Sequence, residues 1–293
     1  MHDGVNAIHS DRASDLVDGM LQSFAYPEPS IKLLDFPLLN KMTGGLRKHE
    51  FTILCGSTGS GKTTLCTGIS SNLIEKRVPH FVASVETGQL DFMRRIGSWF
   101  MAEDWNRGDP IPVDDLKRFE TLHYDRFMHG PLWISRYEDR FSVDTLIAEI
   151  QAHIEKHKIE VAIIDNLNFF LEVTSAQQSI QEMDRVIHNL IIYSKQAPVH
   201  IIMVMHPKKT ENTRVESEFD IKGSSTAVQE AHNVFLWNRP KKDWISKDMG
   251  PYVIDDTFRE LKISKMRRYG GYVGKSIMFK SINGVKYEEV GTL

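Results

Sequence analysis

Gly56-Ser57-Thr58-Gly59-Ser60-Gly61-Lys62-Thr63 is a complete G-x-x-x-x-G-K-[ST] pattern, and the text on either side of it decides the fold. The run before it, Phe51-Thr52-Ile53-Leu54-Cys55, is short, apolar and rich in strand formers. The run from Thr64 onward has helical spacing. Strand, glycine-rich loop and helix in that order make a phosphate-binding loop. Glycines let successive backbone N–H groups converge on phosphate oxygens, and the helix N-terminus adds the positive end of its dipole. In such a loop Lys62 reaches the β- and γ-phosphates and the Thr63 hydroxyl joins a Mg²⁺ shell. Gly56, Ser57, Thr58, Gly59, Ser60, Gly61 and Thr64 complete the expected nucleotide contacts. The chain is therefore expected to bind ATP, or another nucleoside triphosphate, with Mg²⁺.

Outward from this loop, apolar strand candidates recur at 51–55, 80–85, 131–134, 160–165, 199–205 and 233–237. Helical patterns near 62–76, 88–103, 143–157 and 178–196 separate most of them. That alternation predicts an α/β fold, a mostly parallel sheet flanked by helices on both faces. The C-terminal text differs. Residues 261–265 and 275–282 alternate, and Asn283-Gly284 carries a type I′ turn signal, so antiparallel strands are expected at that edge. Residues 10–24 read as a short amphipathic helix that needs something to pack on. Residues 1–30 are thus expected to be an N-terminal linker or helix, and 31–293 one ATPase domain.

Composition is ordinary for a globular protein, with 293 residues, 41% hydrophobic and 26% charged. No apolar run approaches the roughly 20 residues of a membrane span, and no membrane partner is expected. Met1-His2-Asp3-Gly4 has neither a basic start nor an apolar signal core. Cys55 and Cys66 form no metal-ligand pair and read as small buried residues of a reducing compartment. Bacterial cytoplasm, a phage-infected cell and the mitochondrial matrix all fit. A net charge of −3 excludes a generally basic coat but allows a local basic channel.

Three further strands end in chemistry-bearing residues. Val161-Ala162-Ile163-Ile164-Asp165 closes on a carboxylate suited to magnesium, the alternative being a cap on the following segment. Phe81-Val82-Ala83-Ser84-Val85-Glu86 closes on an acid positioned as general base for the attacking water, or else as a helix cap. Val199–Met205 leads to His206-Pro207, where the histidine reads the γ-phosphate or simply closes the strand. In a doubly wound sheet such strand ends converge on the ligand crevice, which favours hydrolysis as the chemistry.

Together these motifs resemble the RecA-like motor domain of ring-shaped replicative DNA helicases, over roughly residues 31–280. The likeness is to the Twinkle and phage helicase-primase branch, with the DnaB family more distant. It rests on Gly44-Gly45-Leu46 with Glu50, the phosphate loop, Ser84-Val85-Glu86, Ile164-Asp165-Asn166-Leu167 and His206-Pro207-Lys208-Lys209. Gly223-Ser224-Ser225 and Gln229-Glu230-Ala231-His232-Asn233-Val234 complete it. The resemblance implies phosphate and magnesium roles for Lys62, Thr63 and Asp165, catalytic base for Glu86 and γ-phosphate sensing for His206. It also implies a basic pair inserted into the neighbouring subunit's site. Lys265 with Arg267 fits the family spacing, whereas the downstream glycines align better with Arg268 as the finger.

DNA contacts are implied at Lys208, Lys209, Arg214, Lys222, Gly223 and Ser224, reading backbone charge and not base identity. Glu211, Glu216 and Glu218 weaken the electrostatics there. The implied activity is an ATP-driven motor that translocates on single-stranded DNA as a homo-oligomeric ring, a hexamer, among other replication proteins. A RecA-like annealing or recombination ATPase forming filaments, and a KaiC-like regulatory ATPase, are the alternatives. About 30 residues before the α/β pattern are too few for the primase-like or collar domain of most relatives. The chain is read as either a trimmed motor or a minimal helicase, the 10–24 helix docking on the next subunit.

Overall fold

Along the strand that precedes the phosphate loop, Phe51, Ile53 and Cys55 pack into one hydrophobic core while Leu54 packs into another. Both faces of this strand are covered, which explains an unbroken apolar run where a half-exposed strand would alternate. The computed structural model describes residues 11–106, 108–136, 142–166, 176–208, 214–222, 225–240, 255–268 and 270–292.

Its first elements are α1 (Ala13–Ala25), α2 (Pro37–Thr43), β1 (Phe51–Gly56), α3 (Lys62–Glu75), β2 (His80–Ser84) and α4 (Gln89–Met101). Next come α5 (Val113–Met128), β3 (Leu132–Ile134), α6 (Val143–His157), β4 (Val161–Asp165), α7 (Ala176–Gln196) and β5 (His200–Met205). The chain ends with α8 (Ser225–Glu230), β6 (Asn233–Asn238), β7 (Phe258–Met266), β8 (Ser276–Ile282) and β9 (Lys286–Thr292). Contacts divide the chain into residues 1–30 and 31–293. Within the first unit, α1 carries a stripe of Leu16, Val17, Met20, Leu21 and Phe24, all exposed.

The second unit is built on one nine-stranded sheet of order β3-β2-β4-β5-β1-β6-β7-β8-β9. The first six are parallel and the last three antiparallel. One core lies under α6 and α7, where Leu146, Ile150, Ile187 and Leu190 meet Phe51, Ala162 and Ile201. The other lies under α2, α3 and α4, where Phe36, Leu65, Leu73, Phe92 and Trp99 meet Leu54, Ile163 and Trp237.

The RecA-like α/β expectation and its antiparallel edge therefore hold. Asn283 and Gly284 both take positive φ (50° and 79°), as a type I′ turn requires, and join β8 to β9. Helices α2, α5 and α8 escaped the sequence reading. The segment 104–130, read as an insertion, contains α5, which half-buries Asp115, Phe119, His123 and Phe127 at helical spacing and pairs Arg126 with Glu75 (2.8 Å). Residues 37–43 form α2, whose Leu38 and Leu39 N–H groups are capped by the Glu289 carboxylate from the far end of the chain. Both cysteines are buried, and burial pushes the Cys55 thiol up to about 12, so it packs as an inert apolar residue.

Two histidines are wholly buried within the sheet. His80 Nδ1 donates to the Val78 carbonyl (2.9 Å) and Nε2 accepts from Ser70 (2.7 Å). His200 pairs with the Arg47 carbonyl (2.7 Å) and the Thr52 hydroxyl (2.9 Å). Each ring is satisfied while neutral, and burial lowers both from 6.5 to about 4. The folded state thus refuses protons that the unfolded chain accepts below pH 6.5. Stability is complete above that value and falls as the pH drops from 6.5 towards 4, by about 3 kcal/mol per histidine at most. Urea midpoints recorded between pH 7.5 and 4 should show this decline, and His80→Gln should reduce its slope. A midpoint independent of pH would contradict it.

Candidate nucleotide site

The phosphate loop leaves β1 at Gly56 and enters α3 at Lys62. Gly59 and Gly61 take φ of 72° and 94°, which L side chains rarely adopt. Gly61 has a second reason to lack a side chain, because a Cβ there would run into the Tyr287 hydroxyl. The loop is pinned from behind at one atom. The Ser60 carbonyl accepts from Trp237 Nε1 and from Arg259 Nε, each at 2.8 Å.

Lys62 is buried and its ammonium folds back onto the Gly56 and Ser57 carbonyls at 2.7 and 2.9 Å. Burial lowers its pKa, and the nearby thiols and carboxylates partly restore it. The Thr63 hydroxyl donates to Asp165 Oδ2 at 2.7 Å. Asp165 is 1% exposed, and its burial raises its pKa against the stabilising Thr63 bond. A threonine oxygen beside a buried carboxylate is a hard-oxygen donor pair suited to Mg²⁺, which takes few protein ligands beside phosphate and water. Among the described residues no group of three or more His, Cys, Asp and Glu could hold a metal alone.

Glu86, Asn166 and His206 meet across the ends of β2, β4 and β5. Asn166 Nδ2 donates to a Glu86 carboxylate oxygen and lies 3.0 Å from His206 Nε2, while His206 Nε2 and Glu86 Oε2 are 4.0 Å apart. An amide nitrogen only donates, so Nε2 accepts and the neutral imidazole carries its proton on Nδ1. That Nδ1 points at Thr58 Oγ1 (3.4 Å) and lies 3.5 Å from Lys62 Nζ. Burial, then the Lys62 charge, lowers the His206 pKa and favours the neutral ring. The capping alternative for Glu86 does not apply, since α4 begins at Gln89 with Gly88 as its N-cap.

Gly61, Lys62, Thr63, Glu86, Asp165 and His206 line a cleft of about 430 Å³ together with Thr58, Gly59, Thr64, Arg95, Asp256, Thr257, Arg259, Ser281, Gly284 and Tyr287. Arg95, Arg259 and Tyr287 were missed from the sequence. Arg95 projects from α4 with its buried Nε lacking any hydrogen-bond partner, and its charge acts on Asp165. The only local signal was an arginine nine residues beyond Glu86.

The expected basic pair is elsewhere. Lys265 lies near the end of β7, paired with Val234, and Arg267 and Arg268 follow Met266, which pairs with Asn233 at the start of β6; none of the three lines the cleft. Lys265 donates to the Gln229 carbonyl, Arg267 Nη2 to the Glu230 carbonyl (3.0 Å), and Arg268 Nε pairs with buried Glu50 (3.3 Å). Of the expected DNA contacts, Lys209, Gly223 and Ser224 lie outside the described residues. Arg214 is not a free cation, because it is ion-paired with Glu260 and Glu216 and donates to the Arg239 carbonyl. Lys208 N bonds Asp220 O (2.7 Å) and Lys222 N bonds His206 O (3.2 Å), which ties this ribbon to His206.

The family model of the DnaB-like helicase C-terminal domain matches residues 34–284. The chain belongs to that family. The replicative DNA helicase DnaB of Treponema pallidum (strain Nichols) is 21% identical over 209 residues, 70% of this chain and 47% of that protein. The chain thus spans about half the length of this curated relative. A DnaB-like replicative helicase, solved to show its interactions with primase, superposes with a TM-score of 0.74 at 15% identity, covering 97% of this chain and 68% of that one. A KaiC-like protein from Pyrococcus horikoshii OT3 superposes with a TM-score of 0.60 at 17% identity, covering 89% and 99%. Both likenesses establish the RecA-like fold.

Gly61→Ala adds left-handed strain of about 1–2 kcal/mol to a collision with Tyr287. Titration calorimetry with Mg-ATP should show affinity lowered at least about tenfold. Unchanged affinity would mean the loop does not bind phosphate in this conformation.

Proposed function

We propose that this domain is the ATP-hydrolysing motor of a DnaB-type helicase, working on single-stranded DNA as a homo-oligomeric ring with one active site per subunit interface. The observation that carries this reading is a division of parts. Lys62, Thr63, Glu86, Asp165 and His206 share one cleft, while the basic residues implied for the same reaction stand beyond the opposite ends of the strands. A site that needs them takes them from a second copy.

Within the cleft each residue has a distinct task. Lys62 exchanges its two carbonyl partners for phosphate oxygens, and Thr63 and Asp165 hold Mg²⁺. When bound, the ion neutralises charge on the transferring phosphoryl group. Glu86 accepts a proton from the attacking water, held in place by Asn166. His206 offers its Nδ1–H to the γ-phosphate, and Arg95 adds a cation on the α4 side. Loss of the γ-phosphate frees His206, and the backbone bond from Lys222 passes that change to the ribbon bearing Lys208 and Lys222. Lys209, Gly223 and Ser224 belong to the same proposed DNA path, and Arg214 leaves it. The exposed stripe of α1 supports docking on a neighbouring copy.

Arg267 fits the finger better than Arg268. Arg268 is committed to Glu50, whereas Arg267 makes no ion pair among the described residues. Arg267→Ala should lower the steady-state rate by about 10³-fold and Arg268→Ala far less. The reverse order would transfer the role to Arg268.

Hydrolysis measured with and without single-stranded DNA tests the whole reading. Strong stimulation by DNA that disappears in Glu86→Gln is expected. Slow hydrolysis indifferent to DNA would favour a regulatory ATPase of the KaiC-like kind, which shares the fold.

A further inference from the structure

At the foot of the sheet, opposite the phosphate loop, a chain of polar side chains is sealed from solvent. Glu50 is 4% exposed, Thr52 2%, Asn233 8% and His200 1%. Asn233 Nδ2 donates to Glu50 Oε2 (3.2 Å) and to Thr52 Oγ1 (3.1 Å), and Thr52 Oγ1 meets His200 Nε2 (2.9 Å). Burying a carboxylate is costly unless a charge and hydrogen bonds compensate it. The compensating charge is Arg268, whose Nε lies 3.3 Å from Glu50 Oε1 while its side chain is otherwise half-exposed.

Nothing in the nucleotide cleft uses this carboxylate. Its partner is nevertheless adjacent in sequence to Arg267. The two arginines, with Lys195 and Lys265, crowd His232, and their charges add to burial in lowering its pKa to about 4. The backbone is fixed on the same element: Arg267 N bonds His232 O (3.1 Å), His232 N bonds Phe51 O (3.0 Å), and Phe51 N bonds His232 Nδ1 (3.1 Å). Residue 267 is thus tied by its backbone to His232, and through His232 to Phe51, while residue 268 is held by its side chain to Glu50, the residue before β1.

We propose that Glu50, braced by Asn233, is a positioning residue for hydrolysis in the neighbouring subunit: by drawing Arg268 back onto its own chain it leaves Arg267 alone to project. This deepens the shared-site reading and rests on it. With the Glu50 charge removed, Arg268 is released beside Arg267, whose Nη2 rests on the Glu230 carbonyl (3.0 Å), and two cations compete for one phosphate. Small misplacements of a catalytic group are expensive in rate.

Mixing of subunits tests this. Lys62→Ala chains are inactive at their own loop but carry an intact finger. Arg267→Ala chains have an intact loop and lack the finger. Mixed in equal amounts, they should recover ATPase activity that neither has alone. Adding Glu50→Gln to the Lys62→Ala chains should lower the recovered rate about tenfold or more, with KM for ATP unchanged. Adding it to the Arg267→Ala chains should leave recovery within about twofold. Undiminished recovery in the first arrangement, or equal loss in both, overturns the inference, the latter because Glu50 would then serve its own fold or loop. Absence of recovery in the parental mixture sinks the shared-site reading itself, and this inference falls with it.

Discussion

The parallel register of four strands is the constraint on which the site depends. Cys55 stands beside Met205, Ser84 beside Asp165, and Ile164 beside Met203. The residues one or two positions past those pairs are the phosphate loop, Glu86, Asn166 and His206. Slipping any strand by one residue would turn its side chains to the other face, exchanging the contents of two filled cores. Packing therefore fixes the chemistry. The alternation of Phe51, Ile53 and Cys55 against Leu54 is the force that puts Gly56 where the loop must begin.

Within that frame, Asn166 is the hub. It donates to both Glu86 and His206, so one side chain sets the orientation of the carboxylate and the tautomer of the imidazole. A histidine with Nε2 occupied presents a donor at Nδ1, the polarity that a phosphate oxygen requires. The His206 carbonyl is bonded to Lys222 as well, so the side chain faces the cleft while the backbone faces the ribbon. A two-sided residue of this kind is a physical route for coupling phosphate loss to movement of a loop.

Much of this was legible before any coordinates. The buried strands announced themselves as apolar runs ending in Glu86, Asp165 and His206, and Asn283-Gly284 announced the last hairpin. What escaped was non-local. Tyr287 stands over Gly61, and Arg259 reaches Ser60, across some 200 residues of chain. Neither carries a local mark. The helix α5 was hidden because its packing is half-buried and aromatic, with Phe119, His123 and Phe127 against Trp105 and Phe100, while Val113, Leu116, Leu122 and Tyr124 stay exposed and blur the apolar stripe. The choice between Arg267 and Arg268 was open for the same reason, since only the fold brings Glu50 to one of them.

The proposal is that the two ends of the sheet hold different halves of one reaction. Electron cryomicroscopy of the chain with Mg²⁺, a non-hydrolysable ATP analogue and single-stranded DNA tests it most directly. The account predicts a closed ring in which Lys62 has left the Gly56 and Ser57 carbonyls for the phosphates. Arg267 from the adjacent copy should lie at hydrogen-bond distance, about 3 Å, from the γ-phosphate. Nucleotide enclosed by a single copy, with every Arg267 remote from it, would contradict the account.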